Sequence, residues 1–265
     1  MFEKHLQLLW FVSIFFLFAA CQSHPIRSIN LGDGITAEGR ISPDTVFDGP
    51  IKFYDAKSNQ LIEKGNYVNG TKSGTDTIFN KNGTIASKAN FSDGKQNGYS
   101  FHFDSNGSLV QKSYNYYGLN VGASINYVND SVKEYYFYDL DENVLVYLNY
   151  DSIKGKRIGD IQPKLFFFRE TYYQSYDIHG TSETLKSFYI YTPNPPKFDF
   201  KYNFVLVDSS FKVLSVLTQC DNRRPWSIVN VDTKSTGPNQ KFAVQLIIRD
   251  SINNKDMIAF RVLRF

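Results

Sequence analysis

The sequence predicts an all-β fold in which a meander of β-hairpins is followed by a β-sandwich. The first observation is a series of glycines at spacings of 25, 24 and 24 residues, each followed five positions later by an aromatic residue. A period in this range indicates a repeat architecture. The second observation is that this spacing stops after Tyr150, where longer runs of alternating apolar and polar residues begin. Such alternation is typical of half-buried strands. The repeat pairs are Gly49 and Tyr54, Gly74 and Phe79, Gly98 and Phe103, and Gly122 and Tyr127.

Turn signals within the repeats predict one hairpin per repeat. Asn69-Gly70 stands four residues before a repeat glycine, and Asn82-Gly83 stands nine residues after one. Asn-Gly pairs accept the positive φ angles that two-residue hairpin turns require. We therefore expect successive hairpins to form one meander over residues 46–150.

This pattern resembles MORN repeats, in the variant found in bacterial proteins and in antitoxin-like proteins. The resemblance rests on Gly74, Phe79, Asn82, Gly83, Ile85, Phe91, Asp93, Gly94, Gly98, Phe103, Asn106, Gly107, Leu109 and Gly118. It implies membrane-proximal scaffolding and contacts with protein or lipid, and it implies no catalytic residues within the repeats.

Residues 1–20 predict a lipoprotein signal peptide. The stretch from Leu8 to Ala20 is almost entirely apolar, and it is too short for a spanning helix, which needs about 20 apolar residues. It ends directly before Cys21, which resembles a bacterial lipobox and implies that Cys21 is lipidated. The attached acyl chains would anchor the protein in a membrane. Because Gln22, rather than an aspartate, follows Cys21, we expect the outer membrane of a bacterial cell envelope.

The segment at 21–45 is polar and rich in glycine, and it predicts a flexible tether, with a first strand possible near Ile35 to Ile41. The net charge of +3 is far from the basic character of a nucleic-acid-binding protein, so we expect no nucleic-acid partner. Once Cys21 carries lipid, Cys220 is the remaining cysteine, which excludes an internal disulfide.

Residues 155–265 predict a β-sandwich of immunoglobulin-like type. Seven candidate strands separated by turn signals occur in this stretch, and their number and spacing favour that architecture. The candidates are Lys164–Tyr173, Leu185–Tyr191, Phe198–Phe204, Lys212–Thr218, Ser227–Asp232, Lys241–Arg249 and Met257–Phe265.

Two groups of residues form the candidate binding surface. Tyrosines crowd the last repeats and either pack in the core or form an exposed surface, since a tyrosine ring is apolar with a polar tip. A loop with two arginines and a tryptophan is either an interface or a solvated loop with a core-anchoring tryptophan. The candidates are Tyr114, Tyr116, Tyr117, Tyr135, Tyr136, Tyr138, Arg223, Arg224 and Trp226.

The sequence shows no catalytic constellation, no metal-ligand spacing and no phosphate-binding glycine loop. We therefore expect a non-enzymatic envelope lipoprotein without cofactor or metal, which binds an envelope protein or scaffolds an assembly. One alternative is a glycan-binding lipoprotein that uses the tyrosine-rich sheet. A second is an antitoxin-like protein, which the lipobox disfavours because such antitoxins act in the cytoplasm.

Overall fold

The computed structural model describes residues 25–153, 175–176, 185–221, 225–232, 234–250 and 255–262, and these residues form an all-β fold. The predicted all-β class is therefore confirmed. A single helical turn, α1, spans Tyr150–Ile153. No helix in the described ranges has the length and apolar character needed to cross a membrane.

A large antiparallel sheet contains the first twelve strands. Neighbouring strands follow chain order, and the short strand β5 pairs with β4 beside the main path. This order follows from hairpin connections, which join antiparallel strands with few residues. The strands are β1 Ile26–Gly32, β2 Ile35–Ile41, β3 Phe47–Asp55, β4 Leu61–Val68, β5 Thr71–Lys72, β6 Gly74–Phe79, β7 Ile85–Ser92, β8 Lys95–Phe103, β9 Leu109–Tyr116, β10 Leu119–Val128, β11 Ser131–Tyr138 and β12 Val144–Asn149.

Two-residue turns close several of these hairpins as the sequence predicts. Asn69 and Gly70 have φ angles of 49° and 80°, and Asp93 and Gly94 have 50° and 76°. Positive φ at both central residues is the turn geometry that matches the twist of paired strands. The Asp33-Gly34 turn has the same geometry and joins β1 to β2. Strand β1 therefore lies within the range for which the sequence predicts a tether.

The prediction of two-residue turns at Asn82-Gly83 and Asn106-Gly107 is wrong. Only the glycine of each pair has a positive φ. In the second loop Gly107 N–H donates to the Asp104 carbonyl at 3.1 Å, and Asp104 N–H donates to the Ser108 carbonyl at 2.9 Å. The Asp104 carboxylate also accepts the Ser108 N–H at 2.9 Å. This side chain stabilises a longer loop, in which glycine takes the left-handed position that ends a type I turn.

The C-terminal region contains two antiparallel sheets, with the strand orders β13-β14-β17 and β16-β15-β18-β19. Predicted strands within the described ranges match observed ones with small shifts at their ends, and the candidate Lys164–Tyr173 lies outside the described residues. The strands are β13 Ser175–Tyr176, β14 Leu185–Tyr191, β15 Asp199–Asp208, β16 Val213–Gln219, β17 Trp226–Asp232, β18 Gln240–Asp250 and β19 Lys255–Val262.

The described residues divide into two compact units. The first contains residues 25–84 and 91–94, and the second contains residues 85–90 and those from 95 onward. In the first unit a small apolar cluster forms around Ile41, Ile51 and Phe53. The rings of Phe47 and Tyr67 pack edge-on beside it, with centroids 5.3 Å apart. The predicted boundaries at 21–45, 46–150 and 155–265 stay predictions.

The second unit has a much larger core, which combines strands of the meander with strands of both C-terminal sheets. Tyr135 and Phe137 of β11 lie in one cluster with Val229 of β17 and with Phe204 and Phe242 of β15 and β18. The last two rings stack at 5.5 Å. Burial of this much aromatic surface stabilises the unit.

Candidate binding cleft

The strands of the last repeats separate the candidate tyrosines into three environments. Tyr135 is fully buried, and its hydroxyl accepts the Asn194 N–H at 3.0 Å. Burial raises its pKa well above the usual value. Tyr136 and Tyr138 alternate along β11 with Tyr135 and Phe137, and they are half-buried on the opposite face of the sheet. Because successive side chains point to opposite faces, these tyrosines cannot form one continuous surface with Tyr135.

A third set of tyrosines meets the tryptophan of the predicted loop. The Trp226 ring lies edge-on to Tyr114 and Tyr116, with centroid distances of 6.2 and 5.1 Å. Tyr117 extends the cluster, with its ring 4.9 Å from that of Tyr116. The structure therefore brings two groups of candidate residues together across more than a hundred positions of sequence. Edge-to-face contacts of this kind fix the orientation of the rings.

The rings of Tyr114, Tyr116 and Trp226 line a cleft of about 780 Å³ in the second unit. Thr218, Gln219 and Asp221 supply polar groups near the end of β16, and Ser227 supplies a hydroxyl from β17. The Ser227 hydroxyl accepts the Asp221 N–H at 3.1 Å, which fixes the chain on this side. A cleft with aromatic walls and a few placed polar groups has the chemistry of a binding site.

The repeat glycine Gly122 allows Pro225, a residue of the cleft lining, to pack directly on the backbone of β10. A Cβ atom at Gly122 would lie 2.5 Å from Cβ of Pro225, the residue that precedes Trp226. Gly122 also has a φ of 74°, which disfavours other residues. The close approach of Pro225 to the β10 backbone therefore requires glycine here.

Cys220 lies beside the cleft as a buried thiol, directly after the last residue of β16. Its N–H donates to the Tyr202 carbonyl at 2.8 Å. Burial raises the pKa of the thiol to about 11, although a hydrogen bond with Ser227 opposes this shift. A thiol with this pKa is a poor nucleophile at neutral pH, so Cys220 acts as a packing residue.

Exposed apolar side chains lie on the two strands that contribute to the cleft, and one of them, Ile228, lines it. Val216 and Leu217 of β16 are 56% and 46% exposed, and Ile228 of β17 is 56% exposed. In the described part of the chain, β16 pairs with β15 alone and β17 pairs with β14 alone. Within the described residues, the outer edges of both strands therefore present backbone N–H and carbonyl groups next to apolar side chains.

The other face of the meander carries a polar network that the sequence did not reveal. His102, Gln111, Asn126 and Glu134 lie directly opposite one another on β8 to β11. Gln111 Nε2 donates to Asn126 Oδ1 at 3.2 Å, and Asn126 Nδ2 donates to Glu134 Oε2 at 3.0 Å. The Tyr147 hydroxyl donates to Glu134 Oε1 at 3.1 Å. The Asn126 hydrogen bond is the main cause that lowers the pKa of Glu134.

Tyr136 adjoins this network. It lies opposite Tyr147 on β12, with the ring centroids 4.8 Å apart, and its ring is nearly parallel to that of Tyr138 at 6.1 Å. We name this surface the tyrosine face and define it by His102, Gln111, Asn126, Glu134, Tyr136 and Tyr147. From the alternation along β11, the sequence could have predicted that Glu134 and Tyr136 share a face of the sheet. Their partners on the neighbouring strands depend on a register that the sequence does not show.

Other candidate residues have no described position. Cys21, Arg223 and Arg224 lie outside the described residues. Within the described ranges, no group of three or more His, Cys, Asp or Glu side chains is arranged to hold a metal ion.

Comparison with known proteins gives no family model that matches and no curated protein that matches. Among solved structures, the chain is similar to S. aureus TarM, with 14% identity and a TM-score of 0.27 over 54% of this chain and 23% of TarM. A TarM variant in complex with fondaparinux, α-GlcNAc-glycerol and UDP gives the same identity and TM-score over 52% and 23%. A GtfA/B complex bound to UDP and GlcNAc gives 9% identity and a TM-score of 0.30 over 48% and 26%. The chain thus spans about a quarter of the length of these structures.

These neighbours are glycosyltransferases, and they overturn the expectation that the chain is not an enzyme. That expectation relied on the absence of local catalytic motifs. The absence of such motifs does not exclude an active site assembled from residues that are distant in sequence. At TM-scores of 0.27 to 0.30 the matches carry no argument for a particular activity. We therefore no longer exclude catalysis.

Proposed function

We propose that the protein is a cell-envelope lipoprotein whose aromatic cleft binds an extended segment of a protein partner. The observation that carries this proposal is the Trp226 ring held edge-on by Tyr114 and Tyr116 in a cleft whose strands carry exposed apolar side chains. Tryptophan and tyrosine are the residues that most often dominate binding energy at protein interfaces. Exposed apolar patches beside a cleft also favour a protein partner.

The partner segment is extended because the cleft lies at strand edges. A strand added to β16 or β17 would hydrogen-bond to the open backbone groups, while one of its side chains would enter the cleft against Trp226. Strand β16 contains no charged residue from Val213 to Gln219. It therefore lacks the charges by which natural proteins keep other strands away from an edge. An uncharged, apolar strand is the partner that best matches this edge.

The proposal also assigns roles to the lipid anchor, the repeats and the C-terminal sheets. In the proposal, acyl chains on Cys21 hold the protein to the outer membrane, and MORN-like repeats carry an immunoglobulin-like sandwich. The division into three and four antiparallel strands supports the immunoglobulin-like assignment. One pairing differs from a constant-type immunoglobulin domain. In that domain the fourth strand joins the sheet of the first, second and fifth strands, whereas here the fourth C-terminal strand, β16, pairs with the third, β15.

Site-specific photocrosslinking in intact cells tests the cleft. Benzoylphenylalanine placed at Val216 or Ile228 should give a discrete adduct with one partner protein. Ile258 of β19 is the matched control, because it is 55% exposed and also lies on an edge strand. The Trp226→Ala substitution should remove the adducts at Val216 and Ile228. Equal adducts at Ile258, or adducts that persist with Trp226→Ala, would contradict the proposal.

Metabolic labelling with a palmitate analogue tests the anchor separately. Wild-type protein should incorporate the label and fractionate with the outer membrane, and Cys21→Ala should do neither. An unlabelled wild-type protein in the cytoplasm would refute the lipoprotein assignment and leave the crosslinking result to be judged by itself.

A further inference from the structure

The tyrosine face has the composition of a surface for polar, ring-shaped ligands. Its aromatic side chains, Tyr136 and Tyr147, adjoin a row of planar polar groups on four neighbouring strands. At a strand spacing of about 4.8 Å this row is about 14 Å long. Such a row is long enough for a short oligosaccharide rather than a single sugar.

The polar groups in the row are held in fixed orientations. Asn126 donates to Glu134 and accepts from Gln111, so its amide cannot turn without the loss of both bonds. Glu134 accepts from Asn126 and from Tyr147, one bond on each carboxylate oxygen. A side-chain hydrogen bond with Tyr136 also lowers the pKa of Glu134, so three neighbouring side chains fix the orientation of this carboxylate. Prior orientation reduces the entropy that a ligand must overcome on binding.

A row of serines supports the tyrosine face. Ser100, Ser113 and Ser124 lie on neighbouring strands beside the polar row, and Ser124 is directly opposite Tyr136. All three are buried, and the hydroxyls of Ser100 and Ser113 are 2.7 Å apart. Tyr136 and Tyr147 continue this serine row. Because the serine side chains are short, the two tyrosine rings are the bulkiest groups in the serine row and the polar row.

The chemistry of this face differs from that of the cleft. None of the large apolar side chains that are strongly exposed in the described residues belongs to these two rows. The single carboxylate, Glu134, is engaged by neutral donors rather than by a cation. A neutral ligand with many hydroxyl groups and apolar ring faces satisfies both the amides and the tyrosines. We infer that the tyrosine face binds a neutral oligosaccharide, as a site distinct from the protein-binding cleft.

Affinity electrophoresis of the purified chain tests this inference. The gels contain xyloglucan, mixed-linkage β-glucan, galactomannan or starch as neutral probes, and polygalacturonate as an acidic one. The wild type should migrate more slowly in at least one neutral gel. Tyr136→Ala should weaken the binding about tenfold, because it removes a stacking ring. Glu134→Gln should weaken it too, while Trp226→Ala in the cleft should leave it unchanged.

Tyr136→Phe distinguishes lost recognition from lost folding. It keeps the ring, so it should retain most of the binding, and circular dichroism should show that each variant remains folded. The inference fails if the wild type is not retarded in any neutral gel, if only polygalacturonate retards it, or if a folded Tyr136→Ala variant binds as well as the wild type.

Discussion

The repeat that begins at Gly98 and the repeat that begins at Gly122 follow the same spacing, but they bury very different surfaces. In the first, Tyr99 is 39% exposed and the Lys112 ammonium lies 4.6 Å from its ring centre. In the second, Tyr135 and Phe137 are fully buried in the large core. The repeat spacing therefore determines strands and turns, while the elements that pack on a face determine its burial.

The largest expected effect concerns the core face of the two repeats. Phe137→Ala should lower the free energy of unfolding by about 3–5 kcal/mol, because it leaves a cavity in a packed core. Phe101→Ala is the matched change in the Gly98 repeat, where the ring is half-buried. It should cost about 1 kcal/mol, as is usual for a partly exposed position. Chemical denaturation measures both, and equal losses would contradict the difference in burial.

This comparison shows which features the sequence could predict. The glycine spacing and the alternation of β15 predicted strands that the structure contains, because both signals are local. The turn at Asn106-Gly107 was predicted wrongly, because the side chain of Asp104 stabilises a longer loop. The contact of Trp226 with Tyr114 could not be predicted, since it depends on the packing of strands far apart in sequence.

The next effect concerns the repeat glycines. Both Gly98→Ala and Gly122→Ala place a side chain at positive φ, at a cost of about 1–2 kcal/mol. At Gly98 the nearest atom to a new Cβ is Asn90 Cβ, at 3.5 Å, an ordinary contact. At Gly122 the new atom would overlap Pro225, which should add about 1–3 kcal/mol as overpacking does.

Tryptophan fluorescence distinguishes the two glycine variants. In a chain without residues 1–20, Trp226 is the only tryptophan, so its emission reports on the cleft. Gly122→Ala should shift the emission because Pro225 must move, and Gly98→Ala should leave it unchanged. An equal shift in both variants, or no shift in Gly122→Ala, would show that Gly122 does not position the cleft.

The smallest effect is a difference in alkaline stability that arises in the Gly122 repeat. Burial, followed by the negative charge of Glu134, raises the pKa of Tyr136 from 10.0 to about 12. The unfolded chain therefore loses this proton at a lower pH than the folded chain. The contribution of the Tyr136 hydroxyl to folding stability is fully present below pH 10 and is lost as the pH rises towards 12. The Tyr136→Phe variant should lose less stability over this range than the wild type, as denaturation at several pH values would show. An identical pH dependence would mean that Tyr136 ionises equally in both states, and that the tyrosine face is more hydrated than its contacts indicate.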